Sequence, residues 1–273
     1  MITYNSGTPT YDNRWLNFTE PSLPPLEDSA YIVRVKTLPG MEPALGILAF
    51  RNLFEIDQVT DNIYDIKLDK SHDYERQWSY LFMSPGYPGT RNLTIAEVIS
   101  MNTVIPYSGA TGTETPYVIR NTDYMFKECT NLRKVSCDID LSGGSVSGMF
   151  ARCYSLEEVQ NVKLTEVTDI CDMFFYCSAL QSVNLQTDSS LSGINGAFQS
   201  ANLTAIPSFN VTNVTDANFT FADCRFAESN ILGMYEALAN NGHITSHNGT
   251  FRNCGISSTQ GQQELAQIPE SWK

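Results

Sequence analysis

The sequence predicts a β-rich repeat fold in which 24-residue coils stack into a solenoid with a parallel sheet along one wall. Three observations predict it: a Phe-x-x-Cys pair at fixed spacing, apolar residues at fixed offsets after each pair, and turn-forming residues between them. The pairs are Phe126/Cys129, Phe150/Cys153, Phe174/Cys177 and Phe221/Cys224, with Phe198/Ala201 in the fourth of five places. The phenylalanines are 24, 24, 24 and 23 residues apart. One such coil cannot enclose a core alone, whereas stacked coils bury a continuous column of equivalent side chains, so a constant period in this range marks a solenoid.

Within each coil the matched positions assign the elements. Met125, Met149 and Met173 precede the first three phenylalanines. Leu132, Leu156 and Leu180 follow the cysteines, then Val135, Val159 and Val183, while Leu203 and Ile206 come one residue early. Residues 133–137, 157–161 and 181–185 alternate in and out like short strands, which would stack about 4.8 Å apart. Residues 164–169 and 209–216 are rich in Asn, Thr and Asp, the residues that turn a chain back toward the next Phe. In the fourth coil Ala201 replaces Cys and a residue is lost, so a tighter or irregular coil is expected there.

Around residues 119–227, the predicted solenoid, the pattern changes. Residues 1–28 lack a period and end in a Pro-rich run, which suits an extended arm. Tyr4, Tyr11, Trp15 and Phe18 give that arm anchors that no local element can bury, to be held by the 29–118 domain of the same chain, by a sister subunit or by an assembly partner. Residues 29–118 read as a small β-rich capping domain with strands at 31–35 and 63–68 and a helix at 74–82. Residues 228–273 read as a helical C-terminal cap. There Ser229 N-caps a helix carrying Ile231, Leu232, Tyr235 and Leu238 on one face, Asn240-Asn241-Gly242 stops it, Phe251/Cys254 opens a last coil, and a second helix lies near 262–268.

Composition narrows the function. A 42% apolar content supports a real core. A net charge of −13 argues against nucleic acid and anionic lipid, which need clustered cations. The longest apolar run, 44–50, is far short of the roughly 20 residues of a membrane helix. The first residues lack the basic start and apolar stretch of a secretory signal, so either the chain folds in a cytoplasm or a leader was removed before numbering begins.

Seven cysteines, an odd number without any CxxC pair, are read as reduced thiols, buried where they occupy the repeat positions. His243 and His247 have helical metal spacing but loop flanks, so neither a metal nor a cofactor is expected. Gly-rich phosphate loops, GxSxG elbows and HExxH helices are absent from the sequence. Glu157 and Glu158 are successive on a strand, which turns them to opposite sides rather than onto one substrate. A carbohydrate-active enzyme would need a carboxylate pair, so no enzyme is expected. Seven Asn-x-Ser/Thr matches, Asn210, Asn213 and Asn218 among them, are read as turns.

Binding is assigned to the positions flanking the ladder. Arg152, Tyr154, Phe175 and Tyr176 fall on two successive coils and are expected to face solvent. Aromatics and an Arg so placed suit a sugar- or protein-binding patch.

Residues 149–156 (Met-Phe-Ala-Arg-Cys-Tyr-Ser-Leu), 173–180 (Met-Phe-Phe-Tyr-Cys-Ser-Ala-Leu) and 211–216 (Val-Thr-Asn-Val-Thr-Asp) resemble the BspA-like leucine-rich repeats. That family occurs in surface proteins of gut bacteria and in bacteriophages of that habitat. Thr250-Phe-Arg-Asn-Cys254 and residues 264–273 resemble the ending of such proteins. Together with the missing signal and the arm's unburied aromatics, the resemblance leads to the expectation of a non-enzymatic bacteriophage virion protein: a fibre, tail-tip or surface decoration component assembled in the bacterial cytoplasm. Its solenoid would face a host-surface glycan or protein, its arm would hold other virion proteins, and a homo-oligomer is expected. The alternative it implies is an adhesin at the bacterial cell surface.

Overall fold

Residues 31–37 read Tyr-Ile-Val-Arg-Val-Lys-Thr, a β-branched run with too little room for two wet faces, and they form a central strand. A computed structural model of the chain describes residues 31–46, 54–68, 81–82, 91–102, 104–108, 114–118, 121–226 and 230–273. The predicted arm, with Tyr4, Tyr11, Trp15 and Phe18, lies outside the described residues.

The first strands are β1 (Tyr31–Thr37), β2 (Phe54–Thr60), β3 (Ile63–Leu68) and β4 (Ile95–Met101). β1 pairs antiparallel with both β3 and β4, and β2 with β3. Ile32, Val33 and Val35 of β1 are buried. So is Arg34, whose Nε and Nη2 donate to the two carboxylate oxygens of Asp65 directly across the pair, at 2.5 and 2.7 Å. Buried charge is tolerated when it is paired and hydrogen-bonded in this bidentate way. β5 (Val104–Ser108) and β6 (Glu114–Val118) form a separate antiparallel hairpin.

The sheet passes from these strands into the repeats. β7 (Lys134–Val135), β8 (Ile139–Gly144), β9 (Glu158–Val167) and β10 (Ser182–Thr187) follow. β4 pairs parallel with β7, β7 with β9, and β9 with β10, which sets Val98, Val135, Val159 and Val183 in one row. β8 also pairs parallel with β9. The predicted strand at 133–137 is thus only two residues long, whereas the one at 157–161 extends to residue 167.

Opposite this wall runs a column of phenylalanines. Phe82, Phe126, Phe150, Phe174, Phe198, Phe221 and Phe251 are fully buried. Their rings stack with centroids 5.2, 5.4, 5.6, 5.6, 5.6 and 5.7 Å apart and planes within 12° of parallel. Each Phe N–H donates to the carbonyl of the residue before the next coil's Phe, as Phe150 does to Met173 at 2.9 Å. The cysteines fasten the same column. The thiols of Cys129, Cys153, Cys177, Cys224 and Cys254 donate to the carbonyls of Phe82, Phe126, Phe150, Phe198 and Phe221 in the preceding coil. Ala201 cannot do so.

Two bends in every coil bring the chain through this column. The residues two before and two after each Phe have positive φ: Tyr124 and Glu128, Gly148 and Arg152, Asp172 and Tyr176, Gly196 and Ser200, Phe219 and Asp223, Gly249 and Asn253. At the first bend large residues alternate with glycine from coil to coil. A Cβ on Gly148 would overlap the Tyr124 ring, one on Gly196 the Asp172 carboxylate, and one on Gly249 would lie 2.9 Å from the Phe219 ring. Each large side chain therefore lies over the next coil's glycine.

The sheet stops at β10 for a reason visible in the fourth coil. Thr204 N–H still donates to Gln181 O, but the next bond to this wall is from Asn210 N–H to Thr187 Oγ1, both at 2.9 Å. Pro207 lies between and has no N–H to donate. In the fifth coil α1 (Ile231–Ala239) takes the place of a strand and buries Ile231, Met234 and Leu238, while Leu232 and Tyr235 are half-buried. Its N-cap is Asn230, which makes no side-chain capping bond; Ser229 lies outside the described residues. β11 (Arg225–Phe226) and β12 (Gly255–Ile256) pair in parallel, and α2 (Thr259–Gln267) starts three residues earlier than expected because Ser258 accepts from Gly261 N–H.

Two further differences concern the ends. Of the helix expected at 74–82, residues 74–80 lie outside the described residues and Leu81–Phe82 form a bend, with Phe82 joining the column. At the other end a single 3-10 turn, Glu270–Trp272, repeats the turn that precedes each Phe. Trp272 N–H donates to Pro269 O as Met149 N–H does to Val146 O, and Trp272 O accepts from Phe251 N–H at 2.8 Å.

Candidate binding surface

The second left-handed bend carries the side chains outward. In three successive coils it presents Glu128, Arg152 and Tyr176. Tyr176 is 41% exposed, and its ring meets the half-buried Phe175 edge-on at 4.5 Å. Arg152 is exposed, its N–H donates to Phe175 O at 2.6 Å, and its Nη1 reaches Glu128 Oε1 at 3.3 Å. Tyr154 is half-buried beneath the Arg91 guanidinium, 5.5 Å from the ring centroid, and its carbonyl accepts from Ser178 Oγ at 3.3 Å. The four residues singled out in the sequence thus occupy one edge of two adjoining coils.

Their surroundings add two residues: Arg152 is ion-paired with Glu128, and Arg91 belongs to the same edge. Glu128 was legible as a partner, because it holds in its coil the position that Arg152 holds 24 residues later. Arg91 was not, since it lies before the first recognised coil. The arrangement offers an aromatic edge, two guanidinium groups and a carboxylate, which suit a sugar ring or an aromatic or acidic side chain.

Four other surface ion pairs act between coils. Arg133–Glu157 at 2.6 Å, Lys134–Glu158 at 3.2 Å, Lys163–Asp140 at 2.9 Å and Arg252–Asp223 at 3.5 Å each join neighbouring turns. Glu157 and Glu158 are both exposed, and the strand starts at Glu158. Each has its own cation, which ties the two carboxylates to different partners.

All seven cysteines are free thiols. Burial pushes the Cys224 thiol up to about 12 and that of half-buried Cys137 to about 11. Burial raises those of Cys129, Cys153, Cys177 and Cys254 as well. Cys171 rises through burial and the Asp169 carboxylate beside it. Thiols held protonated in this way are poor nucleophiles and poor ligands. His243 is exposed, while the His247 ring lies 4.2 Å above Trp272 and its Nδ1 is 3.2 Å from Ser271 O. Among the described residues no group of three or more His, Cys, Asp or Glu could hold a metal ion.

The Asn-x-Ser/Thr sites divide. Asn210 Oδ1 accepts from Thr212 N–H, Asn213 Nδ2 donates to Ser189 O, and Asn218 Oδ1 accepts from Asn248 N–H, all bonds that hold turns. Asn92 is buried, with its amide donating to Ala44 and Phe82 carbonyls. Asn202 and Asn248 are exposed.

The sequence profile of the BspA type leucine rich repeat region matches the chain in six copies, over residues 115–228 and 147–272. These matches span more than half of the chain, and the protein belongs to that family. No curated protein and no solved structure matches it. Repeats of this type point to a protein-interaction or surface-binding role. Among the described residues no helix is long and apolar enough to cross a membrane.

Proposed function

We propose that this protein is a non-enzymatic binding scaffold, a solenoid closed at both ends that grips a cell-surface glycan or protein. The antiparallel strands before β4 would close one end and the Trp272 turn the other, as open solenoid ends require. One observation carries the binding reading: Tyr176 and Phe175 stand on a left-handed bend beside Arg152, where the fold could have buried or omitted them. The neighbouring coils have small or polar residues at those positions, Ala151 and Gln199 at one and Ser200 at the other. A non-catalytic role is supported by the cross-coil pairing of the carboxylates.

The test is binding to bacterial cells and to a glycan array by the wild type and by an Arg152→Ala/Tyr176→Ser double variant. A loss of about tenfold or more in Kd at unchanged melting temperature is the expected result, the usual consequence of removing an aromatic and an Arg anchor. Unchanged binding overturns the assignment. The proposed setting is a bacteriophage virion, with the arm bearing Tyr4, Tyr11, Trp15 and Phe18 as the contact to other virion proteins and to sister copies. Its support is the resemblance and the four aromatics that the arm cannot bury alone. Antibody labelling of purified particles tests it, and labelling of the bacterial cell surface instead would favour an adhesin.

A further inference from the structure

Three Asn-Gly steps occur in the chain: Asn195-Gly196, Asn241-Gly242 and Asn248-Gly249. All three glycines have positive φ. An Asn followed by Gly is prone to lose ammonia, because the unhindered Gly nitrogen can attack the Asn side chain. The attack requires a side-chain amide free to swing and a backbone N–H free to react. The fold treats the three steps differently.

At the first, Gly196 N–H donates to Asn218 O at 2.8 Å, one of the bonds between coils. At the second, the Asn241 amide is fixed on both ends. Its Nδ2 donates to Val211 O and Val214 O, each at 2.9 Å, and its Oδ1 accepts from His243 and Ile244 N–H. At the third, Asn248 is exposed, and neither its side-chain amide nor Gly249 N–H has a hydrogen-bond partner among the described residues. Gly249 itself is buried, and the end of the stack explains why its N–H has no partner. Residues equivalent to Gly249 in the five earlier coils donate to the coil that follows: Tyr124 to Ser147 O, Gly148 to Cys171 O, Asp172 to Asn195 O, Gly196 to Asn218 O and Phe219 to Asn248 O. After the sixth coil only the Pro269–Lys273 turn remains, and it engages Phe251 instead.

We propose that Asn248 is a site of spontaneous covalent modification that loosens the last coil. The Gly249 nitrogen bonds to Asn248 Cγ, the Cγ–Nδ2 bond breaks, and ammonia leaves with the proton that Gly249 gives up. Water then opens the resulting cyclic imide at one carbonyl or the other, leaving aspartate or isoaspartate. Isoaspartate routes the backbone through Cβ and lengthens it at the point where the sixth coil grips the fifth. There Asn248 N–H donates to Asn218 Oδ1 at 2.6 Å and Asn248 O accepts from Phe219 N–H at 3.1 Å. The neighbouring His247 is the residue stacked on Trp272, so the terminal turn is disturbed with it.

The test is peptide mass analysis of the full chain held at mildly alkaline pH, once folded and once unfolded in urea. In the unfolded chain the three sites should convert at similar rates. In the folded chain Asn248 should convert several-fold faster than Asn195 and Asn241, and hydroxylamine present during the incubation, attacking the imide in place of water, should split the chain between residues 248 and 249. Asn248→Gln should stop both effects while melting as the wild type does before ageing. Conversion at Asn195 or Asn241 as fast as at Asn248 in the folded chain overturns the proposal. So does an intact Asn248 over a period in which the unfolded chain has converted.

Discussion

The first three coils and the last three are built on the same column but have different outer walls. From Phe126 to Phe174 the wall opposite the aromatic rings is parallel sheet; from Phe198 to Phe251 it is an extended run through Pro207, then α1, then α2. The column does not register the change. Ring spacings stay between 5.4 and 5.7 Å from Phe126 to Phe251. The Phe N–H bonds measure 2.9, 2.9 and 2.8 Å in the first half and 2.9, 2.9 and 2.8 Å in the second. Even the coil in which Ala201 forfeits the thiol bond keeps its rings 5.6 Å from both neighbours. The column and its backbone bonds therefore hold the stack, and the opposite wall can be exchanged as long as it covers the apolar rows.

The largest test of this comparison removes one ring from each half. Phe174→Ala and Phe221→Ala should each destabilise by roughly 3 to 5 kcal/mol, the usual cost of emptying a large aromatic site. Equal losses in denaturant unfolding support a shared column. A large loss at Phe174 with almost none at Phe221 would mean that the sheet, not the column, supplies the stability.

A smaller effect probes the alternation at the first bend. Gly148→Ala places a Cβ at φ +60°, which costs roughly 1–2 kcal/mol, and also drives it into the Tyr124 ring. Adding Tyr124→Ala should recover the collision and leave the backbone strain. If Gly148→Ala melts like the wild type, the alternation of large residues with glycine has no steric basis.

The smallest effect, taken one thiol at a time, concerns pH. Burial raises the thiol pKa values in the folded state, Cys224 to about 12, above an unfolded value near 8.5. Above that unfolded value the unfolded chain sheds protons that the folded chain keeps. Stability should therefore fall as pH rises, by about 1.4 kcal/mol per pH unit for each buried thiol. Urea midpoints at about pH 7.5 and about pH 9.5 measure the slope, and Cys153→Ala should lower it by that one thiol's share. A slope of zero or of opposite sign would show that the thiols are not buried and protonated.

The part of the fold that repeats was legible because stacking makes equal demands at equal spacing. Phe126 to Phe221, their cysteines and the valine row could be placed by counting. What escaped counting are the places where the period is broken. Phe82 belongs to the column, but Val98 follows it by 16 residues where Val135 follows Phe126 by 9, so no offset matched. Trp272 completes a turn of the same kind without a Phe-x-x-Cys pair to mark it. Tyr124, Asp172 and Phe219 hold a left-handed conformation that ordinarily signals glycine, and the clue was the glycine at 148, 196 and 249 in the alternate coils. For the binding edge, the residue types and coils of Arg152, Tyr154, Phe175 and Tyr176 could be read. The pairing of Arg152 with Glu128 and the cover of Tyr154 by Arg91 depend on which side chains meet across coils.

Native-state hydrogen exchange at the amides of Phe126, Phe150, Phe174, Phe198 and Phe221 tests the central claim most directly, because each donates one of the bonds between coils. Uniform protection along the whole series, near the free energy of global unfolding, is the result expected if the column holds both halves as one cooperative unit. Protection that is high to Phe174 and collapses at Phe198 and Phe221, where the sheet has ended, would contradict it.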